Sequence, residues 1–314
     1  MKKRKIVLIG TAHPFRGGLA SYNERLIREF RFNGYDASIE NFTLQYPSFL
    51  FPGKTQYSDS PKPDDIMIIN SVNSINPFNW IKVGMKIKKM APDIALVKYW
   101  IPYMAPCFGT ISRIIRSNRK TKIISILDNV IPHEKRPGDT IFSKYFVRGV
   151  DGFVAMSKSV LNDLGKFDNK KPRELTPHPV FDNFGEKIDR ESALKKLNLS
   201  NEYRYILFFG FIRDYKGLDI LLEAFANKWF DDKKIKLIVA GEFYSSPEKY
   251  KTIIKNNNLQ KRVLLHTYFI SDEEVVNYFC ASDIVAQPYK SATQSGVTQI
   301  GYHFNKSMLV TNVG

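Results

Sequence analysis

Residues 210–225, GFIRDYKGLDILLEAF, follow the apolar run Tyr205–Phe209 and gather Gly210, Arg213, Lys216 and Gly217 within one short turn. A strand, a glycine turn with two cations and an amphipathic helix opening at Gly217 would place both cations and a helix N-terminus at one point. That arrangement suits a diphosphate. A second stretch, KSATQSGVTQIGYHFNKSMLVTNVG at 290–314, is a small-residue turn able to feed backbone N–H groups to the same anion. Together the two loops point to a nucleotide-linked substrate.

Such loops need rigid strands behind them, and the hydrophobic pattern supplies candidates. Strand-like runs at Ile6–Ile9, Ala37–Phe42, Asp65–Asn70, Ile94–Tyr99, Lys122–Leu127 and Gly152–Ala155 alternate with helical patterns at about Ala20–Phe32, Pro77–Met90 and Pro106–Ser117. This βαβ rhythm predicts a parallel sheet with helices on both faces. The segment from Leu44 to Asp64 interrupts it with four prolines and exposed aromatics, and reads as a functional or mobile loop. After Ser157 the pattern turns irregular, and the linker is expected around 178–188.

A second alternation then begins. It predicts helices at Arg190–Leu197, Gly217–Ala226, Pro247–Asn257, Asp272–Cys280 and Gly296–Phe304, with strands at Tyr205–Phe209, Ile235–Ala240, Val263–His266, Ile284–Gln287 and Met308–Thr311. Asp272 reads as an N-cap region with Glu273 and Glu274 in the first turn. The expectation is two doubly wound domains, 1–180 and 181–314, with the active site in the cleft between them. The sequence stops directly after a strand, so the second domain reads as incomplete and the chain as C-terminally truncated.

A hydrophobic content of 43% over 314 residues is enough for two cores and excludes a disordered chain. Cys107 and Cys280 are too few for a disulfide framework and read as reduced core thiols of a cytoplasmic protein. The apolar run after MKKRK is too short for a signal peptide. No run is long enough to span a membrane, which limits membrane association to a peripheral kind. A formal charge of +16 implies an anionic partner: nucleic acid, acidic lipid or a nucleotide sugar. No helix-turn-helix, zinc-finger, RRM or KH signature supports nucleic acid.

These residues resemble the retaining nucleotide-sugar glycosyltransferases with the GT-B fold, the glycosyl transferases group 1, of the bacterial polysaccharide and lipopolysaccharide kind. The resemblance rests on HPFRGGLASYNERL at 13–26, DNVIPHEKRPGD at 128–139, GFVAMSKSV at 152–160, FFGFIRDYKGLDILLEAF at 208–225, LIVAGE at 237–242 and the stretch 282–314. It implies two Rossmann-like domains facing each other across a cleft, an acceptor-side N-terminal one and a nucleotide-sugar-binding C-terminal one. The first glycine loop would bring Gly17 and Gly18 to the donor diphosphate, since glycine allows close backbone approach and φ > 0. Lys216 falls where the family grips phosphate. The family's arginine position holds Phe211, and Arg213 would supply the missing cation.

The family's E-x7-E motif falls on Ser291 and Gln299, neither of them acidic. Gln299 would accept from a ribose hydroxyl through its carbonyl, and Ser291 offers a short hydroxyl. Between them, Thr293, Gln294, Ser295, Gly296 and Val297 would present N–H groups and hydroxyls to phosphate and sugar. Asp128 and Asn129 occupy the family's donor-sugar histidine position, so Asp128 would hydrogen-bond a sugar hydroxyl, while His133 would orient the acceptor. Asp64-Asp65 and Asp231-Asp232 lack the strand context of a metal motif, and the resemblance accordingly implies a metal-independent enzyme with no cofactor.

The resemblance thus implies transfer of a hexosyl or related residue from a nucleoside-diphosphate sugar to a glycan or lipid-linked acceptor. Two rivals stand beside it. A non-catalytic sugar-nucleotide-binding subunit would account for the missing acidic pair, and a basic nucleic-acid-binding protein for the charge. For membrane contact the candidates are Lys82, Lys86 and Lys89 on one face of the helix at 79–90, with Trp80, Val83 and Ile87 on another. The basic stretch SRIIRSNRKTK at 112–122 and an aromatic loop with Tyr46, Phe49, Phe51 and Tyr57 complete that set. An anionic inner membrane face is the surface they would fit.

Overall fold

The computed structural model describes residues 3–51, 53–132, 134, 136–231 and 233–313. The chain divides into two units, Met1–His178 and Pro179–Gly314. Among the described residues the first unit runs β1 (Lys5–Ile9), α1 (Gly18–Phe32), β2 (Asp36–Leu44), β3 (Met67–Asn73), α2 (Pro77–Met90), β4 (Ile94–Tyr99), α3 (Ala105–Arg116), β5 (Lys122–Leu127), α4 (Asp139–Gly149), β6 (Gly152–Ala155), α5 (Lys158–Gly165) and β7 (Arg173–Leu175). Its sheet has the order β3-β2-β1-β4-β5-β6-β7, with every pair parallel. Continuous apolar runs are what such a sheet needs, since helices cover both faces; Ile6–Ile9 and Ala95–Tyr99 are buried throughout.

The second unit runs α6 (Arg190–Lys196), β8 (Arg204–Phe209), α7 (Leu218–Phe225), β9 (Ile235–Ala240), α8 (Glu248–Asn256), β10 (Val263–His266), α9 (Asp272–Ala281), β11 (Ile284–Gln287), α10 (Gly296–His303) and β12 (Ser307–Val310). Its parallel sheet has the order β10-β9-β8-β11-β12. Helices α7 and α8 bury Leu218, Leu222, Phe225, Tyr250 and Ile254 against it.

Three elements depart from the expected pattern. Helix α4 lies where the sequence pattern predicts no helix. Helix α5 and strand β7 fall in the stretch read as irregular after Ser157, because a dense charge pattern there hides one buried pair, Val160 and Leu164. The Ser157 side chain accepts from the Val160 N–H and starts α5. Helix α9 is capped by Ser271, in a reciprocal box with Glu274, and Asp272 is its first helical residue.

The expected membrane set also rearranges. Val83 and Ile87 are core residues, and Trp80 packs against the same cluster. Lys86 donates to both oxygens of the buried Glu40, at 2.7 and 2.9 Å. In the second basic stretch, Arg113 is engaged by the Gly109 and Tyr145 carbonyls and Arg116 by Asp151. The 44–64 loop folds partly inward, with Tyr46 stacked on Tyr103 and Tyr57 against Phe15. Both cysteines are free and buried. Among the described residues no helix is long and apolar enough to cross a membrane.

Candidate functional site

In the second sheet β8 lies between β9 and β11, so the chain leaves β8 and β11 in opposite directions and opens a crevice beyond their C-terminal ends. Gly210 leaves β8 at φ 96°. Gly241 leaves β9 at φ 139°, and a Cβ on it would stand 2.2 Å from the Gly210 carbonyl oxygen, so only glycine fits. Arg213 then enters a short turn, Asp214–Lys216, and Gly217 at φ 69° passes the chain into α7.

That turn folds the Lys216 ammonium back over Gly210. Its Nζ lies 3.0 Å from where a Gly210 Cβ would stand, and Val297 Cγ2 lies 3.5 Å from the same point. Val297 belongs to the first turn of α10, which holds no acidic residue and whose N-cap, Ser295, makes no side-chain cap. The Tyr289 ring is 5.9 Å from the ammonium, and its hydroxyl is 3.3 Å from the Ser295 hydroxyl. Among the described residues no carboxylate or other acceptor engages the Lys216 ammonium. Burial, and then the Arg213 charge, lower its pKa from 10.5 to about 8. Arg213 itself sits 5.2 Å from the Tyr244 ring, which stacks on Phe211 at 4.3 Å.

A charged scaffold holds this turn. Asp214 and Asp219 both accept from Lys249, at 2.8 and 2.6 Å, and from Lys290, at 3.0 and 2.7 Å. Those lysine hydrogen bonds hold the Asp214 carboxyl below the ordinary carboxylate range. The Lys290 N–H donates to the Tyr215 carbonyl at 2.7 Å, which ties the Lys216 turn to the loop after β11. Beside it lies a cavity of about 400 Å³ lined by Gln287, Tyr289, Thr293, Gln294, Ser295 and Thr298, among others.

The first sheet reverses between β1 and β4. Gly17 caps α1 at φ 97°, and a Cβ on Gly18 would meet nothing within 4 Å. Asn41, from β2, accepts from the Ala12 N–H and donates to the Ala12 and His13 carbonyls, which fixes the loop leading into that turn. Lys98, near the end of β4, is 1% exposed and reaches Asp128 Oδ1 at 2.8 Å. The Tyr22 ring lies 3.7 Å from the same ammonium. Burial pulls the Lys98 pKa down, against the Asp128 charge. A larger cavity, of about 670 Å³, lies by Lys5, Asp36 and Asp93 at the N-terminal ends of the strands, away from the switch-point ends where ligands of such sheets bind.

Residues 189–297 match the family described as Glycosyl transferases group 1. That match lies within the second unit, and the chain is a transferase enzyme. An uncharacterised glycosyltransferase of Methanocaldococcus jannaschii is 24% identical over 322 aligned positions, covering 99% of this chain and 79% of the relative. Among solved structures, sucrose-phosphate synthase of Thermosynechococcus elongatus superposes with a TM-score of 0.76 at 14% identity, over 99% of this chain and 82% of that one. HepE of Anabaena, solved with UDP and glucose, superposes with a TM-score of 0.74 at 14% identity, over 99% and 81%. The structural likenesses carry the fold, which is the GT-B type with two parallel α/β sheets.

Within the second unit, Lys216 and Val297 meet over Gly210, with Arg213 three residues before Lys216 in the same turn; Gly296, the first residue of α10, lies where a Cβ would stand 2.9 Å from the Phe181 ring. Thr293, Gln294 and Ser295 line the neighbouring cavity. Ser291 and Gln299 line neither place: Ser291 is exposed, and Gln299 leaves α10 about 200° around the helix from Val297. Gly17, Gly18 and Asp128 stand at the switch-point end of the first sheet, and His133 lies outside the described residues. Sequence reasoning missed Lys98, Tyr22, Tyr289 and the Asp214–Asp219–Lys249–Lys290 cluster. Only Lys98 had a local signal, as a lone charge inside the apolar run IALVKY.

Proposed function

We propose that the enzyme transfers a glycosyl residue from a nucleoside-diphosphate sugar to a hydroxyl of a glycan or lipid-linked acceptor, with retention and without a metal ion. The observation that carries this reading is the Lys216 ammonium, desolvated beside Arg213 and the uncapped start of α10. A buried cation without a counter-charge is costly, and a diphosphate would supply the missing charge. The donor class is supported by the likeness to HepE, which was solved with UDP and glucose.

In the proposed reaction the bond from the anomeric carbon to the diphosphate oxygen breaks and one to the acceptor oxygen forms. The acceptor proton passes to the departing diphosphate. Lys216, Arg213 and the N–H groups around Ser295–Val297 stabilise the charge that develops on that leaving group. Thr293 and Gln294 offer further polar contacts, Gln299 an acceptor for ribose and Ser291 a hydroxyl. The first unit is assigned the Gly17–Gly18 turn as a backbone donor to phosphate and Asp128 as a partner for a sugar hydroxyl. The enzyme would work in the cytoplasm, peripheral to the inner face of the membrane.

A calorimetric screen of UDP-, GDP- and ADP-sugars, followed by transfer assays with EDTA present and NMR of the product anomer, tests each part. Binding of one nucleotide sugar, lost in Lys216→Ala, is the expected result. Tight donor binding without hydrolysis or transfer would instead mark a sugar-nucleotide-binding subunit, and an inverted product would remove retention.

A further inference from the structure

Between Asp65 and Asp93 the chain carries no acidic residue, and α2 lies within that interval. Asn76 caps the helix by accepting from the Asn79 N–H, and Pro77 opens its first turn. Asn79 donates to the Ser71 carbonyl and Trp80 to the Asn73 carbonyl, so the inner face is fastened to β3. Val83, Gly84 and Ile87 are the buried side.

Opposite that side, at 100° per residue, point Phe78, Met85 and Lys89. Phe78 is 85% exposed, Met85 59% and Ile81 45%. Lys88 flanks them on the Ile81 side and Lys82 on the other. Lys86 is held by Glu40. A helix fixed in the core by one face therefore presents an apolar centre with lysines on both flanks.

We propose that this outward face of α2 docks on an anionic phospholipid bilayer. Phe78, Ile81 and Met85 enter the boundary between headgroups and acyl chains, while Lys82, Lys88 and Lys89 lie on lipid phosphates. Nucleic acid would satisfy the lysines but leave the apolar centre in water. A lipid surface satisfies both, and the formal charge of +16 draws the whole chain toward it. This deepens the peripheral placement given under Proposed function and does not depend on the transfer chemistry.

Vesicle co-sedimentation tests it, with phosphatidylglycerol-containing vesicles compared with pure phosphatidylcholine at low salt. The wild type should bind the anionic vesicles and be released as salt rises. Lys82→Gln/Lys88→Gln/Lys89→Gln should weaken partitioning about 10²-fold. Phe78→Ser/Met85→Ser should weaken it about tenfold or more with an unchanged melting temperature, because both side chains face solvent. Absence of binding at low salt, or binding indifferent to either variant set, overturns the proposal. So does lipid-free self-association that Phe78→Ser/Met85→Ser abolishes, or equal capture by duplex DNA through the same lysines. Donor turnover on a soluble acceptor, read on the same samples, should be intact in both variant sets. A wild type that binds vesicles yet transfers nothing would count against the transferase reading alone.

Discussion

Lys98 in the first unit and Lys216 in the second are both desolvated lysines at the switch-point end of a parallel sheet, and their surroundings differ in one respect. Lys98 has a carboxylate, Asp128, at 2.8 Å and the Tyr22 ring across its ammonium. Lys216 has the Tyr289 ring at 5.9 Å but, among the described residues, no carboxylate, and the charge acting on it is another cation, Arg213. A buried ion pair is neutral inside its own unit and asks nothing of a ligand. A desolvated cation facing a cation raises the energy of the empty protein, and an incoming anion offsets that rise. By this contrast Lys98 is part of the scaffold, and Lys216 fits the phosphate-binding role proposed for it.

The strongest test of the contrast is to break the pair. Asp128→Ala leaves Lys98 buried without its carboxylate, and should lower unfolding free energy by about 3–5 kcal/mol in a urea titration. Replacing both, as Lys98→Met/Asp128→Leu, should restore most of that loss. The experiment also separates two roles for Asp128. If Asp128→Ala stays as stable as wild type while transfer collapses, the carboxylate belongs to the sugar and the scaffold assignment is wrong.

Lys216 should behave in the opposite way. Lys216→Ala should cut turnover by about 10²-fold, the scale of one electrostatic donor at a leaving group, with Arg213→Ala milder. Stability should not fall with it. The Lys216 pKa in the folded protein lies below its ordinary value, so its cost is fully present below pH 8 and relieved as pH rises toward 10.5. Lys216→Met should therefore melt no lower than wild type at pH 7. A drop of several degrees would mean that the ammonium has a structural partner.

The same pKa sets a smaller, graded effect. If a donor diphosphate binds the protonated lysine as proposed, donor affinity should be level below about pH 8 and weaken up to tenfold per unit above it. Lys216→Met should flatten that slope. An unchanged slope in the variant would assign the titration to the ligand or to another group.

How much of this was legible in the sequence depends on the range of the interaction. Apolar runs such as Ile6–Ile9 and Ile235–Ala240 announce parallel strands because burial on both faces needs no distant information. The glycine turn at 210–217 was legible for the same reason: its conformation is set by the residues in it. Helix α5 was not, since its two core residues are outnumbered by charges that simply face solvent. The Lys98–Asp128 pair joins residues 30 positions apart, and the Lys290 contacts with Asp214 and Asp219 span 76 and 71. No local pattern encodes such pairings; the sheet order brings them together. Helical periodicity put Val83 and Ile87 on a different face of α2 from the lysines, and both are core residues; it carries no sign that Lys86 is taken by Glu40, 46 positions away.

The smallest expected effect concerns Gln299, and it asks whether the proposed site extends along α10. Gln299 sits two residues beyond Val297 and points away from the Lys216 ammonium, so any contact it makes is with a part of the donor remote from the diphosphate. Contact with a ribose hydroxyl is made equally in the ground and transition states. Its loss should then raise donor KM a few-fold and leave kcat in place. Gln299→Glu keeps an oxygen acceptor and should be tolerated, whereas Gln299→Ala should not. Ribose and deoxyribose nucleotides provide the matching measurement: wild type should prefer ribose, and Gln299→Ala should lose the preference. If wild type binds both sugars equally, Gln299 is an ordinary half-exposed helix residue, and the proposed site ends at the first turn of α10.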